Sequence, residues 1–338
     1  MQTVLTWIRR VLTGVIVAAA GLFLFVLIWG NWYRISGERR AAEQFSPPGE
    51  MVSVGTHRMH IYCIGSGRPT VILDGPVSSP YSAWVPAMRL IEPVTRVCAF
   101  DRSGLGYSEV GPVDPPTIES RMRDQELLLA NSGEAPPYII GGYSLGAQLA
   151  YQYAQRHLDE TAALVIVEGA SPEMRAMTFG RSFVPPVLDS AVVLLEKLGL
   201  GPLIVSYARR EIPEPLRERL GLDEFFVNSH FVSKRMIGDV IGARSMNDAF
   251  NDQRHLGDVP LVVLMGAETG RQQFQDDPEA LRKFETFKAE FSNRSNNGRF
   301  VPVPGAVHGT IMIEKELIAA EILRQVREWR RRNGLTDE

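Results

Sequence analysis

Cysteine is nearly missing from this chain, with two among 338 residues. That is too few for a disulfide scaffold or a thiolate metal cluster. Charge of one sign is also missing: the net charge is −3, and Lys and Arg are scattered along the sequence. The chain therefore gives no sign of nucleic-acid binding. It contains no H-E-x-x-H, no P-loop and no G-x-G-x-x-G after a strand-like run. The signatures of a zinc protease, a P-loop nucleotide site and a dinucleotide fold are thus absent, and no cofactor is implied. Neither an internal repeat nor a low-complexity tract occurs. What is present is an ordinary globular composition, 45% hydrophobic and 22% charged. The length provides ample material for a large core.

One long hydrophobic run stands at the front. Residues 11–29 are uncharged and almost wholly apolar. As a helix rising 1.5 Å per residue the run would extend roughly 28 Å, close to the hydrocarbon thickness of a bilayer. Arg9 and Arg10 precede it, and Trp29, Trp32 and Tyr33 follow as interfacial aromatics. A cleaved signal usually has a shorter apolar region, and no clear small-x-small site follows this one. The reading is an uncleaved, single-pass anchor within an N-terminal segment 1–37. Arg34, Arg39 and Arg40 stand on the far side, so the positive-inside rule does not decide the orientation. Cys63 and Cys98 each lie in a strand-like run, and two buried thiols are the default expectation. A cross-strand bridge is the alternative; it would imply an oxidising compartment and leans towards a catalytic domain outside the cytoplasm.

Residues 38–50 are polar and contain Pro47-Pro48-Gly49, the composition of a linker. Strand-like runs then follow at 51–54, 57–64, 70–73, 96–100, 138–141, 163–167, 261–265 and 299–303. Helical patterns cover 83–91, 118–131, 146–157 and 314–332. Apolar strands alternating with helices predict a largely parallel sheet covered on both faces. The alternation breaks over residues 170–259. A structureless loop of about ninety residues is improbable inside a compact domain, so this stretch is expected to be a helical cap. The core is then 51–169 and 260–338.

Between one strand-like run, Tyr138-Ile139-Ile140-Gly141, and one helical run beginning at Ala147 lies Gly142-Tyr143-Ser144-Leu145-Gly146. A serine on so sharp a turn projects its hydroxyl beyond the sheet, and the flanking glycines remove side chains that would clash. A serine hydroxyl needs a base, and the base needs an acid to fix its tautomer. Of six histidines, His57 and His60 fall at an early strand, His157 ends the helix after Ser144, and His230 and His255 fall in the cap interval. Only His308 follows a late strand in a glycine-bracketed loop, Pro304-Gly305-Ala306-Val307-His308-Gly309. Two acids satisfy the order serine, acid, histidine: Glu168, directly after one strand, and Glu268, in Gly266-Ala267-Glu268-Thr269-Gly270 after the next.

Together these residues resemble the α/β-hydrolase superfamily, of the cap-bearing type with an N-terminal membrane anchor. Phe100-Asp101-Arg102-Ser103-Gly104-Leu105-Gly106-Tyr107-Ser108 is similar to that superfamily's D-x-x-G-x-G-x-S turn, and Leu73-Asp74-Gly75-Pro76-Val77 stands at its oxyanion loop. The resemblance implies an α/β-hydrolase fold, a mostly parallel eight-stranded sheet with helices on both faces and a helical cap. It departs from the family at three points. Gly75-Pro76 replaces the usual His-Gly pair, and proline has no N–H to give. Alignment on Trp84 moves the donor position to Val77, which would act with Leu145 in an oxyanion hole. The family's commonest acid position holds Thr269, with Glu268 one place early, whereas some relatives carry the acid where Glu168 stands. We assign the acid to Glu168, with Glu268 as the alternative. The nucleophile is a serine, not the aspartate expected of the family's dehalogenases and epoxide hydrolases.

The resemblance therefore implies acyl transfer to water by Ser144, His308 and Glu168, on an ester-like small molecule, and the membrane anchor makes a lipophilic one attractive. Haloperoxidase-like or carbon–carbon bond hydrolysis would use the same residues. A non-catalytic, membrane-tethered binding module of the same fold is the reading from another class, since fold alone does not prove chemistry.

Overall fold

The computed structural model of the chain describes residues 2–44, 46–113, 116–179, 194–195, 197–203 and 249–336. Helix α1, Gln2–Gln44, comes first. Its segment Thr3–Gly37 is long and apolar enough to cross a membrane, and the most apolar part of it is not buried against the protein. The helix continues past Glu38, where the sequence pattern places the start of a linker. The physical reason is that Glu38-Arg39-Arg40-Ala41-Ala42-Glu43-Gln44 consists of strong helix formers. Propagating an existing helix through them costs little. Pro47-Pro48-Gly49 then ends any helical tendency.

The body is an eight-stranded sheet built from β1 (Glu50–Ser53), β2 (Arg58–Ile64), β3 (Thr70–Asp74), β4 (Val97–Phe100), β5 (Tyr138–Tyr143), β6 (Thr161–Val167), β7 (Leu261–Gly266) and β8 (Gly298–Val303). Their order across the sheet is β1-β2-β4-β3-β5-β6-β7-β8. The pairs β1–β2 and β2–β4 are antiparallel, and all the others are parallel. Each strand falls on an apolar run of the sequence, with ends shifted by a residue or two.

Both faces of the sheet are covered, and the alternation of side chains divides the core into two layers. Ile72 of β3 and Leu261, Val263 and Met265 of β7 face one layer. Val71, Leu73, Val262 and Leu264 face the other. That is the period-2 pattern of a pleated strand with apolar residues on both sides. On the first side lie α3 (Ile118–Asn131), α4 (Leu145–Arg156) and α7 (Pro278–Glu290). On the second lie α2 (Val85–Ile91) and the C-terminal α8 (Lys315–Arg332). Two short helices, α5 (Pro172–Phe179) and α6 (Thr269–Gln273), follow β6 and β7. Most of the expected cap at 170–259 lies outside the described residues. The core grips both ends of that interval: Gln148 Nε2 donates to the Ala170 carbonyl, and Gln152 Nε2 to that of Asp252.

Cys63 and Cys98 are joined by a disulfide, which corrects the default expectation of two buried thiols. The reason is register: antiparallel pairing of β2 with β4 sets the two residues directly opposite each other. Replacing both by serine is expected to cost about 2–4 kcal/mol in thermal or denaturant unfolding. Protein unfolded without reductant should show no thiol to a thiol-reactive dye.

Candidate active site

The topology gathers the loops that follow β3, β5, β6, β7 and β8 along the carboxyl edge of the sheet. This is where open parallel sheets place their sites. Ser144 sits between β5 and α4 with φ 55° and ψ −112°, a left-handed conformation that costs a non-glycine residue of order 1–3 kcal/mol. The neighbouring glycines are forced by space. A Cβ on Gly142 would stand 2.2 Å from the Gly146 carbonyl oxygen, and one on Gly146 2.3 Å from that of Asp74. Any other residue at either place would drive the turn apart.

The turn aims the serine at the histidine. Ser144 Oγ lies 3.1 Å from His308 Nε2, and His308 Nδ1 lies 3.1 Å from Glu168 Oε2. Glu168 is buried, with its side chain 1% exposed, while the imidazole remains 46% exposed and open to a small molecule. The other oxygen of Glu168 accepts from the Gly266 N–H at 2.5 Å and the Thr269 hydroxyl at 2.8 Å. Glu168 is thus fixed by two donors, and its outer oxygen faces the imidazole. Its backbone is also left-handed, at φ 51°.

Glu268 is not part of this chain of contacts. It is half-exposed and paired with Arg271 on its own helical turn, at 3.2 Å. Thr269, at the position where the resemblance implies the family's usual acid, instead donates its hydroxyl to Glu168.

Two further side chains that sequence reasoning did not single out support the site. The Tyr143 hydroxyl donates to the His308 carbonyl oxygen at 2.5 Å. Burial, reinforced by the Glu168 charge, pushes this phenol well above its ordinary range, so it remains a proton donor. Lys288, also buried, donates to the Gly266 carbonyl at 2.9 Å and pairs with Glu285. It braces the strand end whose N–H holds Glu168. Tyr143 lies inside the quoted pentapeptide, but nothing in a linear sequence tells where its hydroxyl reaches.

A cavity of about 310 Å³ opens at Ser144 and is lined by Val77, Leu145, Met174, Phe250, Met265 and His308, among others. The two backbone groups expected to bind an oxyanion, at Val77 and Leu145, therefore border the same space as the serine. Of the larger apolar residues of the cap interval, Met174 and Phe250 reach this cavity. Phe183, Leu188, Phe225 and Phe226 lie outside the described residues.

A sheet in this strand order, with a serine elbow after β5 and a histidine loop after β8, is the frame of a hydrolase. The chain belongs to the alpha/beta hydrolase family, whose model matches residues 66–317. Among curated relatives it is 27% identical over 217 residues to "Uncharacterized protein YbdG" of Bacillus subtilis, a match spanning 64% of this chain and 66% of that protein. Among solved structures it is similar to an esterase from Exiguobacterium antarcticum, at 16% identity and a TM-score of 0.61, covering 82% of this chain and 99% of that one. It is equally similar to potato (Solanum tuberosum) epoxide hydrolase I, at 17% identity and a TM-score of 0.64, covering 82% and 98%. At such identities these two likenesses bear on the fold alone.

Proposed function

We propose that this hydrolase is a membrane-anchored serine esterase, working through an acyl-enzyme on small, ester-like substrates. The observation that carries the proposal is the continuous chain Ser144 Oγ, His308 Nε2, His308 Nδ1, Glu168 Oε2, with both links at 3.1 Å. A serine paired with an imidazole whose far nitrogen meets a buried carboxylate has the parts that nucleophilic catalysis needs.

In the first half-reaction Ser144 Oγ attacks the ester carbonyl carbon and passes its proton to His308 Nε2. Glu168 holds Nδ1–H, which fixes the tautomer and stabilises the imidazolium as it forms. The negative charge that develops on the carbonyl oxygen meets the N–H groups of Val77 and Leu145. The N–H of Leu145, at the first position of α4, has no partner within its own helix, and the helix dipole adds to its pull. Collapse breaks the bond to the alcohol, which leaves with the proton from His308. Water then enters, gives a proton to His308 and attacks the acyl group, and Ser144 is released as the carboxylic acid forms. Met174, Phe250 and Met265 favour an apolar acyl group in the cavity.

The anchor reading rests on Thr3–Gly37. The body also touches the helix near its membrane-exit end: Asn31 Nδ2 donates to the Lys197 carbonyl at 3.1 Å, and Gly30 is packed so closely on Leu198 that no side chain fits there. A body tethered to a bilayer suits a lipophilic ester. The disulfide favours a compartment outside the cytoplasm. Residues 170–259 would form the cap over the cavity.

One experiment tests both halves. Membranes from cells producing the chain, washed with alkaline carbonate and treated with a fluorophosphonate probe, should show a labelled band at the uncleaved mass of 37.6 kDa. Absence of label would remove the serine chemistry; label only in the soluble fraction would remove the anchor.

A further inference from the structure

Arg102 belongs to the turn after β4, yet its guanidinium is buried beneath the loop that follows β3. Its Nη1 donates to the Gly75 carbonyl at 2.7 Å and to Asp74 Oδ1, and its Nη2 to the Pro76 carbonyl at 2.6 Å. The Asp74 carbonyl is held separately, by Trp84 Nε1 at 2.9 Å. Three successive carbonyls of the loop are therefore tied down by side chains. Gly146 closes the arrangement, since its Cα lies against the Asp74 and Gly75 carbonyls with no room for a Cβ.

The Pro76 carbonyl and the Val77 N–H belong to one peptide unit. In a trans peptide these two groups point in opposite directions. A guanidinium that captures the carbonyl from below thus turns the N–H outward, and Val77 lines the cavity at Ser144. The Val77 N–H takes part in none of the backbone hydrogen bonds among the described residues. A charged donor on the carbonyl also polarises the peptide and makes its N–H a stronger donor. Pro76 has no N–H and cannot serve in this way.

We infer that Arg102 is a positioning residue for catalysis: it sets and polarises the Pro76–Val77 peptide so that the Val77 N–H is ready for the oxyanion before substrate arrives. This rests on the serine-hydrolase reading of the site. It adds a residue that touches neither substrate nor nucleophile and acts through one peptide plane. The planar fork is required, because one ammonium cannot hold two adjacent carbonyls and a carboxylate in fixed directions.

The test compares wild type, Ser144→Ala, Arg102→Lys and Arg102→Ala on p-nitrophenyl butyrate. Active wild type with silent Ser144→Ala establishes the serine chemistry independently of Arg102. Arg102→Lys keeps the charge beside Asp74 and loses the fork. Its kcat is expected to fall about 100- to 300-fold, within the range for loss of one oxyanion donor, while KM stays within about threefold. A second cavity of about 310 Å³ borders Arg102 and Asp74 from the side of His57 and Asp124, which gives a small cation a way in. Guanidinium chloride at non-denaturing, millimolar concentration should therefore restore about tenfold or more of the kcat lost in Arg102→Ala, and sodium chloride should not. Folded Arg102→Lys with kcat within about threefold of wild type would overturn the inference. So would a loss matched by KM and not rescued by guanidinium. If neither Arg102 variant folds, the residue serves the fold and not the donor, and the inference fails. Wild type that neither hydrolyses the ester nor takes up fluorophosphonate overturns the reading of the site and this inference with it.

Discussion

Ser144→Ala is expected to bring p-nitrophenyl butyrate hydrolysis down to the uncatalysed background, a loss of at least about ten-thousand-fold and up to about a million-fold. No other hydroxyl takes over, because among the described residues Ser144 Oγ is the one hydroxyl within hydrogen-bond reach of His308 Nε2. Folding should be nearly unaffected. Alanine removes one partly exposed hydrogen bond, worth about 1 kcal/mol, or no more than about 4 °C in melting temperature. Nor does it relieve the strain of φ 55°, since alanine has a Cβ as serine does. Turnover within tenfold of wild type in a folded Ser144→Ala protein would sink the esterase proposal.

The second large effect separates the two glutamates. Glu168→Gln should lower kcat about ten-thousand-fold, with little change in substrate binding. The amide N–H₂ would face His308 Nδ1 and make it an acceptor. The proton then sits on Nε2, and the imidazole cannot take the proton of Ser144. Glu268→Gln should leave kcat within about twofold, because Glu268 is half-exposed and, among the described residues, its side chain pairs with Arg271 on its own turn. The comparison is read from kcat on one ester, with circular dichroism to confirm that both variants are folded. Equal activity in the two, or loss only in Glu268→Gln, would show that the acid is misassigned.

Much of this was legible in the linear chain, for identifiable reasons. Strands buried on both faces must be continuous apolar runs, so β3 to β7 stood out at nearly their observed positions. The elbow was legible because two glycines and a serine at fixed spacing answer a local steric demand, as the 2.2 Å and 2.3 Å approaches confirm. His308 was legible by elimination, since it alone follows a late strand in a loop.

The acid was only half legible. Glu168 and Glu268 both follow strands in the required order. The choice between them depends on which strand end lies nearer the β8 loop and on which donors await the carboxylate there. Gly266 N–H and the Thr269 hydroxyl meet Glu168, and they come from a segment about a hundred residues away in sequence.

The sequence by itself determined the class of fold, the apolar N-terminal helix and the tight turn that carries Ser144, because each depends on residues close together in the chain: periodicity, hydropathy and local steric demand. Tertiary structure alone decided the disulfide, through the β2–β4 register, and which glutamate meets His308, through the packing of β6 against β7. It also revealed the reach of Arg102 beneath the Asp74–Val77 loop. Those are meetings between distant segments, and their distances and directions are set by how the sheet is assembled, which no local pattern encodes.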